Sequence, residues 1–455
     1  MLRRASEDFA GSVRGFLIAS PKSSAALAVC IGLAVVLAAH FILALAGQNS
    51  GAWILRDLAA GQVPESGDSW DVMLVALDWL DAHPNSDGSL YSDVFFDELN
   101  KFQYAPTSLL PLDLLRLLGF EITPLLLNNL NRIILLVTAL GAGVLCWLLP
   151  ARLAIEPHDA DTRRARLILA LAAPGAALMF FPLLYGYHLG QLQIWINALF
   201  TAACIAWLTG HRGGAGLLIG LVCLLKPQFG LFLLWGALRR EWRFTAALAA
   251  TGAAGLILSV LLYGFGNHLG YLEVLSYLSR HGESYWANQS ANGLLQRIFQ
   301  NGDIHDFGID TFPPFHPIVY GISLVVTVLL LAGVFRLRRA DGQSVAFFDF
   351  QLAALAFTAA SPIAWEHHYG IMVPIFGTLA TVWILTSACK GTVARGLYVF
   401  FAFLVAALPF WAVHAVSGIF HLMLSYLYFS ALFVLAALWA LVNGRWGTAD
   451  TAYSA

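Results

Sequence analysis

Long apolar runs separated by short polar connections recur along this chain, near 24–46, 124–149, 167–186, 190–209, 244–263, 313–335, 346–362, 369–387, 396–414 and 419–442. A run of roughly 18 to 25 such residues crosses about 30 Å of hydrocarbon as a helix. In lipid the backbone must satisfy its own polar groups, so each run is predicted to be helical and the chain an all-α integral membrane protein. The first run follows Arg3 and Arg4 and has no small-residue cleavage site, which predicts a retained anchor. No internal repeat or low-complexity linker interrupts the series, so residues 1–455 are expected to form a single membrane domain.

Basic residues in the short connections set the expected sidedness. Arg163, Arg164 and Arg166, then His211 and Arg212, then Arg336, Arg338 and Arg339, then Lys390 and Arg395, then Arg445 belong to the cytoplasmic side. The stretch GAGLLIGLVCLLKPQFGLFLLWGALRREWR reads either as one helix with Lys226 in mid-membrane or as a hairpin of two short helices with Lys226-Pro227-Gln228 near its tip. A single crossing would put Arg239, Arg240, Arg243 and every later basic connection outside. The hairpin restores the positive-inside pattern, and Pro227 suits a helix start. Short, broken helices of this kind line buried cavities. The expected fold is therefore a polytopic helical bundle of about 10 to 13 transmembrane or re-entrant helices with two long outer loops, 48–104 and 264–312. The first loop holds ten Asp or Glu residues against Arg56 and Lys101, and its run VMLVALDWL is expected to lie in the membrane interface with Trp70 and Trp79 as anchors.

Composition agrees with a membrane class: 59% of residues are hydrophobic, 11% are charged and the mean hydropathy is +0.72. The net charge of −2 gives no case for a nucleic-acid partner. Cys30, Cys146, Cys204, Cys223 and Cys389 sit in or beside apolar runs without a CxxC pair, which fits inert packing. No HExxH or similar spacing accompanies Glu366 and His367, so neither a metal nor another cofactor is expected.

With this topology the unusual polar groups collect on one face. Asp68 and Asp71 lie in the first outer loop, Tyr185 to Gln191 at an outer turn, Lys226 at the hairpin tip, Asn288-Gln289-Ser290 in the second loop and Ser361 to Tyr369 at a later turn. Ionisable groups at membrane depth are costly, so their convergence points to a shared site. Lys226 is a point charge suited to a phosphate or a snorkelling lysine. His188 and Gln191 bind substrate or satisfy a helix end. Asn288-Gln289-Ser290 matches an N-glycosylation acceptor pattern but is read as part of the site.

These stretches resemble a known family. WDVML with its acidic loop, FQYAPTSLLPL, HLGQLQIWINALF through KPQFGLFLLWGALRREWR, NQSANGLLQRIF and AASPIAWEHHYGIMVP follow in an order and spacing similar to glycosyltransferase family 87, polyprenol-phosphate-mannose-dependent mannosyltransferases of the multispanning GT-C fold. The match covers about residues 68 to 375. Where that family usually has Tyr after its Asp-x-Val-like start and then Tyr-Pro-Pro, this chain has Met73 and Tyr104-Ala105-Pro106, departures that bear on the acceptor.

The resemblance implies an inverting transfer of a hexose, foremost mannose, from a polyprenyl-phosphate donor to a glycolipid or glycan acceptor. The implied setting is the extracytoplasmic face of the plasma (inner) membrane, with membrane lipids as the surroundings. It implies an Asp general base in the first outer loop, a task a carboxylate suits because a sugar hydroxyl must lose its proton on attack. Asp71 leads and Asp68 is the alternative. It further implies that one of His367 and His368 meets the donor phosphate, since an imidazole can stabilise the charge a phosphate leaving group gathers, and Lys226 is the further phosphate candidate read from its own charge. Arg297 is a further phosphate or headgroup candidate, and Tyr104, His188, Gln191, Asn288, Gln289, Ser290, Trp365 and Glu366 form the substrate-binding set. A lipid-linked sugar transporter or flippase and an envelope polysaccharide polymerase are the rival readings. The first predicts paired repeats and midplane charges. The second predicts Arg-rich outer loops.

Overall fold

The computed structural model of the chain describes residues 20–47, 50–64, 67–84, 87–153, 159–305, 307, 312–336, 342–387, 391–409 and 418–445. Arg3, Arg4, Arg338, Arg339, Cys389 and Lys390 lie outside them. The described residues are overwhelmingly helical, with no strand among them. In order, the helices are α1 (Pro21–Leu45), α2 (Gly51–Ala59), α3 (Asp68–Ala82), α4 (Leu110–Leu117), α5 (Pro124–Arg152), α6 (Ala160–Leu178), α7 (Phe181–His188), α8 (Gln193–Leu208) and α9 (Arg212–Leu225). They continue with α10 (Leu231–Leu238), α11 (Trp242–Tyr263), α12 (Phe265–His281), α13 (Ala291–Phe299), α14 (Pro317–Arg336), α15 (Gln343–Ala359), α16 (Met372–Leu385), α17 (Thr392–Ala407) and α18 (Tyr426–Val442).

Six helical segments are long and apolar enough to span a membrane: α1, α5, α11, α14, Glu366–Leu385 and Phe420–Val442. The pair α6 and α7, bent by 46°, makes a seventh when counted as one, and four shorter apolar helices pack among them. Local chemistry sets several starts. Thr123 caps α5 by accepting from Leu126 N at 3.2 Å, with Pro124 as its first residue, and Asp159 caps α6 by accepting from Thr162 N.

The chain reverses between α9 and α10. A Cβ at Gly216, near the start of α9, would lie 2.2 Å from Phe244 O, and one at Gly236, near the end of α10, would lie 2.3 Å from Thr245 Oγ1. Both ends of the hairpin therefore rest on the first turn of α11. There Trp207, Trp235 and Phe244 form an aromatic cluster with centroids 5.4 to 5.8 Å apart, and Arg212 meets Glu241 at 3.6 Å. Lys226 is the extended residue at the tip that breaks the helix before Pro227.

This reversal sorts the polar groups into two ends. At one end Arg166 lies over Trp147 and Arg212 over Trp207, each 3.8 Å from ring centroid, and Arg445 lies over Trp439 at 5.0 Å. Such cation–π brackets suit a headgroup region, where a guanidinium can stay wet while its stem stays apolar. The other end carries Asp68, Gln191, Lys226 and the 361–371 segment. The 48–104 segment folds over that end as α2, α3 and the π-helix Tyr91–Asp97. Trp70 and Trp79 differ here from interfacial anchors: both are buried in the protein, and Trp70 Nε1 donates to Asn128 Oδ1 of α5 at 2.8 Å. A bundle helix that supplies a polar partner for the indole N–H removes the reason for the ring to sit at the headgroups.

Candidate functional site

Helix α3 presents Asp68 and Asp71, one turn apart, at its N-terminus. Residues three apart share a helix face, and the unpaired N–H groups of a first turn favour carboxylates there. The α3 start is tied to the turn that follows α7: Asp68 N donates to Leu189 O at 2.8 Å and Leu192 N to Ser69 Oγ at 3.0 Å. Gln191 Nε2 donates to Asp68 Oδ2, while its Oε1 accepts from Ser69 Oγ at 2.7 Å and from the Tyr104 hydroxyl at 3.4 Å. Asp68 is exposed by its residue surface, though protein atoms crowd its carboxyl. Desolvation by those atoms raises the carboxyl above the ordinary range; the Gln191 hydrogen bond opposes this, Asp71 adds to it and Lys101 also opposes it. Asp71 is exposed, with Gly67 N 3.4 Å from its Oδ2.

A second half-site lies beside the first. Lys226 Nζ donates to Gln193 Oε1 at 2.6 Å, and its charge reaches both His367 and His368. The two imidazoles meet edge to face with centroids 4.7 Å apart on the 3₁₀ turn Glu366–Ile371. That turn lies so close to α8 that a Cβ at Gly370 would sit 2.1 Å from Asn197 Nδ2. His368 Nδ1 accepts from Trp365 N at 3.2 Å, so in the neutral ring the proton belongs on Nε2, where it can be donated to a ligand. Tyr185 lies within electrostatic reach of both Asp68 and Glu366. Lys226 and His368 are half-buried, whereas His367 is buried.

The remaining sequence-derived candidates are brought to the same end but are engaged otherwise. Asn288 forms a bridge with Trp365, accepts from Ala364 N and donates to Glu283 O and Pro362 O. Gln289 donates to Trp286 O and Leu424 O and accepts from Leu427 N and Tyr428 N. Ser290 caps α13 and donates to Pro362 O at 2.7 Å. The triplet thus fastens the second long segment to the histidine turn. Glu366 accepts from the Tyr426 hydroxyl and is buried, with Trp365 half-buried beside it. The His188 ring packs against Trp53 at 4.8 Å and Tyr185 at 6.2 Å. Arg297 is buried, and its Nη2 donates to Asn288 O and Ser425 Oγ.

Sequence reasoning missed Ser69 and Gln193, which orient the two half-sites, and the buried pair of Lys101 and Glu283 at 3.3 Å that joins the two long segments. The sequence does place Ser69 between the two carboxylates and Gln193 one turn into an apolar run, positions that a polar residue rarely occupies without a partner.

The chain is similar to known proteins. The chain is 26% identical over 352 residues, 75% of this chain and 74% of the relative, to the polyprenol-phosphate-mannose-dependent alpha-(1-2)-phosphatidylinositol mannoside mannosyltransferase of Mycolicibacterium smegmatis. The protein of the same name from Mycobacterium tuberculosis is 27% identical over 221 residues, 48% of each chain. A polyprenol-phosphate-mannose-dependent alpha-(1-2)-phosphatidylinositol pentamannoside mannosyltransferase of M. smegmatis is 29% identical over 218 residues, 46% of this chain and 47% of the relative. No solved structure matches the chain. The profile of glycosyltransferase family 87 matches residues 102–362, from just after the π-helix Tyr91–Asp97 to the turn before the histidine pair, and so takes in Gln191, Gln193, Lys226 and the whole second long segment. With more than half of its length under that profile and its polar groups gathered at one end of a membrane bundle, the chain belongs to glycosyltransferase family 87.

Proposed function

We propose that the chain transfers mannose from a polyprenyl phosphate to a hydroxyl of a glycolipid or glycan acceptor, with inversion at the anomeric carbon. The acceptor oxygen attacks that carbon, its proton passes to a carboxylate of α3, and the bond to the phosphate oxygen breaks with its electron pair on the leaving polyprenyl phosphate. Lys226 and the His368 Nε2–H face the charge that gathers there. The observation that carries this reading is the shared turn. Gln191 reaches Asp68 and Gln193 reaches Lys226, so a carboxylate and a cationic group stand on either side of a three-residue segment.

Desolvation and the orienting bond from Gln191 favour Asp68 as the base over Asp71: desolvation raises the carboxyl, which makes it the better proton acceptor, and Gln191 aims it. The names of the relatives support a lipid-linked mannose donor and a glycolipid acceptor. The basic Trp-bracketed end supports a cytoplasmic placement for that end and an extracytoplasmic one for the site, in the plasma (inner) membrane. The test is reconstitution of the purified chain with polyprenyl-phosphate [¹⁴C]mannose and membrane glycolipids. Label should move to a glycolipid in the parent and in Asp71→Asn but not in Asp68→Asn. Transfer by Asp68→Asn together with its loss in Asp71→Asn would return the base to Asp71, and label that crosses vesicles without chemical change would favour a transporter.

A further inference from the structure

Both amides of the 191–193 turn are buried, and each has its polar ends consumed inside the protein. For Gln191, Oε1 accepts from Ser69 Oγ and the Tyr104 hydroxyl, which leaves Nε2 as the group that faces Asp68. Turning the amide over would set an oxygen against the carboxylate and waste the Ser69 donor, so the orientation is locked. The backbone is locked as well: Asn131 Nδ2 of α5 donates to Gln191 O at 3.2 Å, and Asn131 Oδ1 accepts from Trp195 Nε1 at 2.8 Å.

Gln193 is the mirror case. Its Nε2 donates to Asn197 Oδ1 at 2.9 Å, one turn along α8, so its Oε1 is left to accept from Lys226 Nζ. An ammonium has three donors. Gln193 occupies one and fixes its direction, and two remain for phosphate oxygens. Each polar atom of the two amides has a protein partner and both side chains are buried, so their first task is to orient Asp68 and Lys226.

We propose that Gln191 and Gln193 are paired positioning residues, Gln191 holding the Asp68 carboxylate and Gln193 the Lys226 ammonium, so that one turn fixes the proton acceptor against the phosphate anchor. The inference rests on the roles given to Asp68 and Lys226 above. The titratable groups facing Asp68 are Asp71, Lys101, Tyr104 and Tyr185, and those facing Lys226 are His367 and His368; the variants below leave all of them in place.

The experiment uses the full chain in lipid nanodiscs, with polyprenyl-phosphate mannose as the donor probe and initial rates measured across pH and donor concentration. Gln191→Leu removes the donor to Asp68; the acid limb of kcat should move up by about one pH unit and the donor KM should stay within about twofold. Gln191→Glu keeps the volume, and with a like charge beside Asp68 it should move that limb further. Gln193→Leu should raise the donor KM by about tenfold without moving the acid limb, and Gln193→Glu, whose carboxylate pairs with Lys226 and repels the donor phosphate, should raise the donor KM further. Asp68→Asn and Lys226→Met run alongside. If these two lose activity while all four glutamine variants keep the parent's pH profile and donor KM, the positioning inference is overturned and the site reading stands. Gln193→Glu that binds the donor as well as the parent overturns the Gln193 half. Full activity in both Asp68→Asn and Lys226→Met overturns the site reading and the inference with it.

Discussion

Arg239 Nε lies 2.6 Å from Asp349 Oδ2, deep in the bundle, and Arg239 Nη2 also donates to Val334 O at 2.9 Å. The pair ties the last turn of α10 to α14 and α15, and so closes the hairpin at the end opposite Lys226. Removing one partner of a buried ion pair strands the other charge, at a cost of about 3–5 kcal/mol. Asp349→Ala is therefore expected to lower the apparent melting temperature sharply in detergent, by fluorescence-detected size exclusion. The double variant Arg239→Met, Asp349→Leu should recover much of the loss. A single variant as stable as the parent would mean that the pair does not hold the hairpin.

Asp68 sets a pH dependence whose sign follows from its environment. Its folded-state carboxyl is raised by desolvation, so the stability it contributes is full below the unfolded value and is lost as pH rises through the raised one. At neutral pH the ionised group is a cost that Asn does not carry. Asp68→Asn should melt at the parent temperature or higher, while transfer falls by roughly 10² to 10⁴. In the parent, kcat should rise with pH along a limb that lies above the ordinary carboxylate range. A melting temperature that drops in parallel with activity would make Asp68 a structural group.

Much of this architecture is legible in the sequence because bilayer thickness converts apolar run length directly into helices. The hairpin was readable from the alternation of Arg212, Lys226 and Arg239 with the basic connections, since one extra crossing inverts every later loop. Trp70 and the Asn288-Gln289-Ser290 triplet were not. A tryptophan near a membrane reads as an interface anchor until Asn128, 58 residues away, supplies its acceptor. Asn288 and Gln289 read as ligands until the carbonyls of Pro362 and Leu424 use up their amides. Local patterns carry no information about partners that distant.

His368 separates two roles by atom. Its Nδ1 accepts from Trp365 N at the start of the turn, and its Nε2–H is the group proposed above to meet the phosphate. Asn at this position can supply an acceptor near the Nδ1 place but no donor at the Nε2 place. His368→Asn is expected to fold to parental yield yet lose more than about tenfold in transfer, equivalent to roughly 1.4 kcal/mol. Surface plasmon or nanodisc binding of polyprenyl phosphate should weaken with it. Unchanged binding and rate would leave His367 as the phosphate contact.

Arg297 makes the opposite prediction. Its Nη1 and Nη2 donate to Trp286 O, Asn288 O and Ser425 Oγ, so its expected role is to order the second long segment. Lys is a point charge and cannot span these acceptors. Both Arg297→Lys and Arg297→Met should therefore reduce yield and melting temperature, and the protein that does fold should keep the parent's donor KM. A normal melting temperature with a raised donor KM would place Arg297 at the phosphate after all.

The hairpin also fixes which residues share a side of the membrane. Pro227 and Arg240 are both exposed, at opposite ends of one reversal, and Arg240 lies beside the Arg212–Glu241 contact and the cation–π pair of Arg212 with Trp207. If the basic end is cytoplasmic, Pro227→Cys opens to the outside of an intact cell and Arg240→Cys does not. The background must lack Cys30, Cys146, Cys204, Cys223 and Cys389, because the four described cysteines are unpaired. With a membrane-impermeant maleimide, labelling is expected at position 227 in whole cells and at position 240 after the membrane is opened. The reverse pattern would keep the hairpin but turn the site toward the cytoplasm. Equal labelling of both positions in whole cells would mean that the two tips share a side, and the reversal at Lys226 would then not cross the bilayer.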